Sequence, residues 1–121
     1  MVERRKFKRL DTTKIEVKWK RTALTPSVAH TKNISAGGIC LMLENNDILN
    51  EGDLLDLEFK LSNGKQVLAK GRVVWSEEIE IIGQNEKRKE VGIEFVEIDD
   101  GTRECISQFV FSILNNSERP K

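Results

Sequence analysis

The chain has few of the residues that build metal sites, disulfide frameworks or membrane spans. It contains two cysteines and one histidine in 121 residues, and these lack the spacing of a zinc site or a disulfide framework. Cys40 and Cys105 stand in apolar surroundings, so we interpret both as buried free thiols in a reducing cytoplasm. No apolar run approaches the ~20 residues of a transmembrane helix, and no signal-peptide core follows the basic N-terminus. We therefore expect a cytoplasmic location and no membrane insertion.

Catalytic motifs are missing as well. His30 is the sole histidine and lies in a polar stretch, so a Ser-His-Asp triad would depend on that residue alone. The chain has no nucleophile elbow, phosphate loop or dinucleotide-binding glycine pattern. Its many carboxylates fall on the polar faces of strands or in loops, where solvent explains them. We predict no enzyme activity, no catalytic residues, no metal and no cofactor.

Charge of one sign is not in excess. The chain has 20 basic and 20 acidic residues, so bulk electrostatics gives no reason to expect binding to DNA, RNA or a membrane surface. Positive charge is instead local, and residues 1–12 form a basic N-terminal arm. The cluster consists of Arg4, Arg5, Lys6, Lys8 and Arg9.

Apolar residues alternate with polar ones along most of the chain, and this period of two is typical of half-buried strands. Between the strands, 33–38 has the composition of a turn, Asn63-Gly64 predicts a type I′ hairpin turn, and the charged stretch 77–90 predicts a long exposed hairpin tip. The predicted strands are Lys14–Lys20, Ser27–Lys32, Ile39–Leu43, Leu55–Leu61, Gln66–Ser76 and Val91–Phe95.

The period changes near the end of the chain. Apolar residues between Cys105 and Leu114 follow helical spacing, with Asp99 or Asp100 as the N-cap and Asn115-Asn116 as the end. Six short antiparallel strands favour a closed barrel, because closure removes exposed sheet edges. We therefore predict an all-β dominated fold. It is a small six-stranded antiparallel barrel with a C-terminal helix over residues 13–116, followed by a frayed tail, 117–121.

Two short motifs indicate a function. Arg5–Arg9 is an Arg-x-x-x-Arg with Arg4 before it, and Asn33–Gly38 is an Asn-x-Ser-x-x-Gly. Alone, the first is explained by a solvated arm and the second by a turn with side-chain-to-backbone hydrogen bonds. Together, in this order and ahead of six strands and a helix, they resemble the PilZ domain family. Val73-Val74-Trp75 and Gly92–Phe95 add to the resemblance.

The resemblance covers nearly the whole chain and implies a bacterial receptor for cyclic di-GMP. Such a receptor signals by changing its shape or its contacts with a protein partner. Asn33 stands where many family members carry Asp. We add Arg4 as a contact to a second, stacked ligand, and Gly37 as part of a permissive turn. The ligand contacts that the resemblance implies are Arg5, Arg9, Asn33, Ser35 and Gly38.

The chemistry of these side chains agrees with that ligand. An arginine fork can donate two hydrogen bonds to guanine O6 and N7 or pair with a phosphate. The Asn33 amide can donate and accept on a guanine edge, and the Ser35 hydroxyl can donate to a phosphate oxygen. Gly38 lacks a Cβ, which allows a strained turn and close ligand approach. We expect the ligand to order residues 1–12 against the barrel.

Two other functions are compatible with this architecture. One is a PilZ-like adaptor that binds no ligand and acts through protein contacts. The other is a nucleic-acid-binding barrel, which needs exposed stacking aromatics, whereas Trp19, Phe59, Trp75 and Phe95 fall on predicted core faces. The sequence is compatible with one or two ligands per chain and with a monomer or a weak homodimer. It does not specify the protein partner or the pathway.

Overall fold

The computed structural model describes residues 9–12, 15–21, 26–43, 49–81, 83 and 86–118. Strands follow one another along these residues, and a single described helix comes last. The bounds are β1 Arg9–Asp11, β2 Glu16–Lys20, β3 Ser27–Ser35, β4 Gly38–Leu43, β5 Leu54–Lys60, β6 Gln66–Ile81, β7 Glu86–Glu97 and α1 Asp100–Glu118.

The strands form a closed antiparallel barrel. Six of them follow the order β3-β2-β5-β6-β7-β4, and β4 returns to pair with β3. The N-terminal half of β3 pairs with β2, and its C-terminal half pairs with β1, which is an extra strand. This arrangement confirms the predicted six-stranded barrel with a C-terminal helix. The strand β1 lies within the stretch that the sequence assigned to the basic arm.

The core fills the inside of the barrel. In β2, Val17 and Trp19 are buried while Glu16 and Lys18 are exposed, and the other strands follow the same alternation. Fully burying one such apolar side chain contributes about 1.5–3 kcal/mol, so the alternation fixes which face of each strand points inward. The helix α1 contacts β1 and β3. It adds its own apolar stripe to this core through Ile106, Phe109 and Val110.

The helix α1 is longer than the sequence predicted. Asp99 is its cap as expected, since Asp99 Oδ2 accepts a hydrogen bond from the backbone N–H of Thr102 at 3.2 Å. The predicted end at Asn115-Asn116 is wrong, because the helix continues to Glu118. Residues 119–121 lie outside the described residues. In the part of the chain that the structure describes, no helix is long and apolar enough to cross a lipid bilayer.

The stretch 77–90 forms the outer part of a long β6–β7 hairpin, as the sequence predicted, and its two arms are paired strands. β6 continues to Ile81 and β7 begins at Glu86, and the two strands pair along this whole extension. Opposite charges across the ribbon support the pairing. The facing pairs are Glu78 with Lys89 and Glu80 with Lys87.

The hairpin at Asn63-Gly64 also differs in type. Gly64 has a φ of 90°, and its N–H donates to the carbonyl of Leu61 at 2.9 Å. The loop therefore has three residues, with glycine in the left-handed position after the turn. The hairpin itself is present, but the predicted two-residue type I′ turn is wrong.

Candidate functional site

The segment Asn33–Gly38 is mostly strand. Asn33 and Ser35 belong to β3, Gly38 begins β4, and only Ala36-Gly37 form the turn. Ser35 Oγ accepts a hydrogen bond from the Gly37 N–H at 3.1 Å and donates to the Gly38 carbonyl at 3.4 Å. The predicted six-residue turn is therefore wrong, because strand pairing holds both of its ends. The Ser35 hydroxyl makes the bonds that close the short connection.

The strand β1 brings Arg9 to this segment. Arg9 faces Ser35 and Asp11 faces Asn33 in the antiparallel register, and facing side chains in such a pair lie about 5 Å apart. Leu10 between them points into the core and is 7% exposed, so Arg9 and Asp11 both point outward. The structure thus places Arg9, Asn33 and Ser35 together on the outer face of the barrel. Arg4 and Arg5 lie outside the described residues.

Two rows of outward-facing residues extend from this corner across five strands, in the order β1, β3, β4, β7 and β6. We call these two rows the site face. The middle of each row consists of small residues, of which Cys40 and Gly92 are buried and Gly38 is partly exposed. The first row is Asp11, Asn33, Cys40, Gly92 and Trp75, and the second is Arg9, Ser35, Gly38, Glu94 and Arg72.

Gly38 is required by strand packing. A Cβ at this position would overlap the backbone carbonyl oxygen of Ile93 on β7. The described glycines with positive φ are Gly52, Gly64 and Gly83, so the expected strained turn at Gly38 is wrong. Its small size lets β4 and β7 approach each other beneath the site face.

Trp75 lies on the site face, which corrects its assignment to the core. The register of β6 against β7 shifts between Val73 and Trp75, and this bulge turns the indole outward, where it is 39% exposed. The ring covers Gly92, because a Cβ there would overlap indole atoms. A glycine inside an alternating strand often marks a close approach of this kind, and that signal in the sequence was missed.

A second bulge places Lys32 beside Asn33. The register of β3 against β4 shifts between Thr31 and Asn33, so Lys32 and Asn33 both face away from the core. Lys32 Nζ lies 2.9 Å from Oε1 of Glu90, a carboxylate that is only 6% exposed. The hydrogen bond and the charge of Glu90 raise the pKa of Lys32. The sequence placed Glu90 at the end of an exposed hairpin tip, so this buried pair was not predicted.

Cys40 is buried although it faces outward. Its exposure is 4%, and burial, reinforced by the charge of Glu90, raises the pKa of its thiol to about 11. A thiol with so high a pKa is neutral at physiological pH and therefore unreactive. Cys105 is only partly buried, so the expectation that both thiols are buried holds for Cys40 alone.

The charges of the site face balance, but not all are paired. The side chains of Arg9, Asp11 and Asn33 form no hydrogen bond or ion pair within the described structure. The guanidinium, carboxylate and amide at this corner are therefore available to a ligand. The paired groups of the site face and its border are Lys32 with Glu90 at 2.9 Å and Arg72 with Glu94 at 3.1 Å.

A groove of about 750 Å³ lies on a different part of the barrel, on the outer surface of β2, β5 and β6. We call this surface the groove face. Its charges are mixed and largely paired across strands, which gives no preference for an anionic or a cationic ligand. Among the described residues, no three His, Cys, Asp or Glu side chains converge to hold a metal ion. The groove-face pairs are Lys18 with Glu58 at 4.0 Å and Lys70 with Glu97 at 3.6 Å.

The closed barrel, with Arg9 beside an Asn-x-Ser-x-x-Gly segment on its outer face, defines a PilZ-type domain. The PilZ domain family matches residues 3–112, and the chain belongs to this family. Comparison with curated proteins finds no match.

Solved structures share the fold. The inhibitor of motility MotI/DgrA of Bacillus subtilis is 25% identical with a TM-score of 0.82, over 98% of this chain and 55% of its own. The PilZ domain of YcgR from Escherichia coli, solved with c-di-GMP, is 17% identical with a TM-score of 0.78 over 95% of both chains. MrkH of K. pneumonia, also solved with c-di-GMP, is 17% identical with a TM-score of 0.83, over 99% of this chain and 56% of its own. The chain thus spans about half the length of MotI and MrkH.

Proposed function

We propose that the chain is a non-enzymatic bacterial receptor for cyclic di-GMP that acts in the cytoplasm. The observation that carries this proposal is the convergence of the unpaired Arg9 and Asn33 side chains on the outer face of a PilZ barrel. Two proteins with this fold, YcgR and MrkH, have been solved with c-di-GMP, which supports the choice of ligand.

The ligand offers guanine bases and phosphodiesters to the site face. The Arg9 fork can donate two hydrogen bonds to O6 and N7 of one guanine, and the Asn33 amide can donate and accept on the same base. Trp75, at the other end of the first row, exposes part of its indole, on which a base can stack. The Ser35 hydroxyl and Gly38 contribute by holding the β3–β4 connection in the shape that presents Asn33.

The phosphates require positive charge that the site face does not supply in excess. Arg9, Lys32 and Arg72 are offset by an equal number of carboxylates, and two of these three cations are already paired. The residues directly before Arg9 in the chain include Arg4 and Arg5. We therefore assign phosphate binding to the segment 4–8, and expect the ligand to order it against the site face. Faster amide hydrogen exchange of this segment without ligand than with it is the expected observation.

The decisive experiment is a calorimetric titration with cyclic di-GMP, with cyclic di-AMP and GTP as controls. We expect selective binding that Arg9→Ala and Asn33→Ala each weaken by roughly tenfold or more, since one arginine–guanine pair is worth about 1–3 kcal/mol. Arg88→Ala is the matched control. It removes the same charge from an exposed position in the β6–β7 ribbon, facing Ile79.

The titration also separates the remaining alternatives. An endpoint of two ligands per chain supports a role for Arg4 in binding a second, stacked molecule, and an endpoint of one removes that role. A folded protein that gives no heat and no thermal shift contradicts the receptor proposal and leaves the adaptor, which acts through protein contacts alone. For a receptor, the ordered segment provides the surface that a protein partner recognises.

A further inference from the structure

Asp11 is the one acidic side chain at the unpaired corner of the site face. It is exposed, it shares the outer side of β1 with Arg9, and it faces Asn33 across the strand pair. The carboxylate has no hydrogen-bond partner in the described part of the chain. The charge of Asp11 contributes to the raised pKa of the nearby Lys32 ammonium, but the ion pair of Lys32 is with Glu90 at 2.9 Å.

A carboxylate next to a site for a phosphodiester repels the anionic ligand unless it also forms a favourable contact with it. Guanine has two neighbouring donors, N1–H and the 2-amino group, on the edge next to O6. An ionised carboxylate has two acceptor oxygens that match these donors, whereas the Asn33 amide has a single carbonyl oxygen and its NH₂ group would meet a donor. Adenine has an acceptor at N1 and no 2-amino group, so a carboxylate facing that edge would be repelled.

The spacing of β1 fits one base across both of its outward side chains. Alternate residues of a strand lie about 7 Å apart on the same face, so Arg9 and Asp11 can contact adjacent edges of one guanine. The asparagine opposite Asp11 then contacts the base from the side of β3. No other element is needed to bring these three side chains to one base.

We propose that Asp11 determines specificity for guanine: its carboxylate accepts hydrogen bonds from N1–H and the 2-amino group of a guanine whose O6 and N7 face Arg9. This inference rests on the proposed function, because it assigns a role within the same ligand site. If the Asp11 carboxylate were only solvated, its negative charge would oppose binding of an anionic ligand. Neutralising it would then strengthen binding instead of weakening it.

The test uses the full chain, two ligands and the isosteric variant Asp11→Asn. Cyclic di-inosine monophosphate lacks the 2-amino groups of cyclic di-GMP and is otherwise similar. We expect the wild type to prefer cyclic di-GMP by about tenfold or more. We expect Asp11→Asn to weaken binding of cyclic di-GMP to a similar degree and to bind both ligands almost equally. Asp56→Asn, on the groove face, is the matched control and keeps the wild-type preference.

A second variant guards against a general loss of structure. In Asp11→Asn/Asn33→Asp the carboxylate moves to the facing position, and we expect it to recover binding and the preference for cyclic di-GMP. Equal or tighter binding of cyclic di-GMP by Asp11→Asn, or an unchanged preference over the inosine ligand, overturns this inference and leaves the receptor proposal intact. A wild-type chain that binds neither ligand overturns both.

Discussion

The site face and the groove face belong to the same barrel, and β6 contributes to both, yet their polar groups are arranged differently. On the groove face, lysines and glutamates alternate between neighbouring strands and pair with each other. At the β1–β3 corner of the site face, three polar side chains converge without a partner in the described residues: Arg9, Asp11 and Asn33. Paired surface charges mainly keep a sheet face soluble, whereas converging unpaired groups are suited to recognition.

The two faces also differ in the size of their side chains. The middle of the site face contains Gly38, Cys40 and Gly92, which are small and packed closely against their neighbours. The groove face carries long side chains, among them Leu68, which is 62% exposed. We therefore expect a substitution on the site face to lower the free energy of unfolding more than a substitution on the groove face. Each of the following variants tests that difference.

The largest effect is expected from a single methyl group on the site face. Gly38→Ala places its Cβ against the carbonyl oxygen of Ile93, and backbone atoms can move aside only by disturbing the β4–β7 pairing. We expect the free energy of unfolding, measured by urea denaturation, to fall by about 3 kcal/mol.

The comparison variant on the groove face removes a larger group. Leu68→Ala takes away most of a side chain that is 62% exposed, and we expect a change within about 1 kcal/mol. Similar losses in the two variants would show that the faces do not differ in this respect.

A smaller effect is expected from breaking one ion pair on each face. Lys32→Ala leaves the buried carboxylate of Glu90 without its partner, which costs about 1–3 kcal/mol. Lys18→Ala breaks an exposed contact of 4.0 Å with Glu58, and such pairs are worth less than about 1 kcal/mol. Urea denaturation of both variants measures the difference.

A double variant identifies the cause. Adding Glu90→Gln to Lys32→Ala removes the unpaired buried charge, so part of the lost stability should return. If the double variant is less stable than Lys32→Ala alone, the charge of Glu90 is not the source of the loss.

Strands and motifs could be predicted from the sequence because their signals are local. Alternation identified the strands that line the core, since each apolar residue points inward independently of its partners. The Asn-x-Ser-x-x-Gly motif marked the β3–β4 connection, and the arginine motif marked the chain that pairs with it. The pairing of β1 with β3 then brings Arg9 next to Asn33 and Ser35.

Alternation alone could not predict the bulges, because an extra residue in one strand is defined by its pairing with a distant strand, and Gly92 was the one local signal near Trp75. The shift before Trp75 reverses the side of the sheet on which the indole lies, and the shift at Lys32 brings two neighbouring residues to the same face. The ion pair of Glu90 joins β7 to Lys32 on β3, a strand with which β7 does not pair. Each of these features results from pairing between distant parts of the chain, so a period of two assigned Trp75 to the wrong face.

At physiological pH the smallest effect is that of the buried thiol of the site face, because well below pH 9 the thiol is protonated in both the folded and the unfolded chain. Because burial raises the pKa of Cys40 from 9.0 to about 11, the folded state retains a proton that the unfolded chain releases between these values. Stability should then be fully present below pH 9 and fall as the pH rises toward 11, with a slope of up to about 1.4 kcal/mol per pH unit. The chain has no tyrosine, so only thiols and amines titrate in this range.

Urea denaturation at pH 8 to 11 measures the slope. Cys40→Ala should reduce this slope. The raised pKa of Lys32 acts in the same direction at still higher pH. An unchanged slope in Cys40→Ala would mean that the Cys40 thiol does not cause the alkaline loss of stability, and would leave the amines, among them Lys32, as its source.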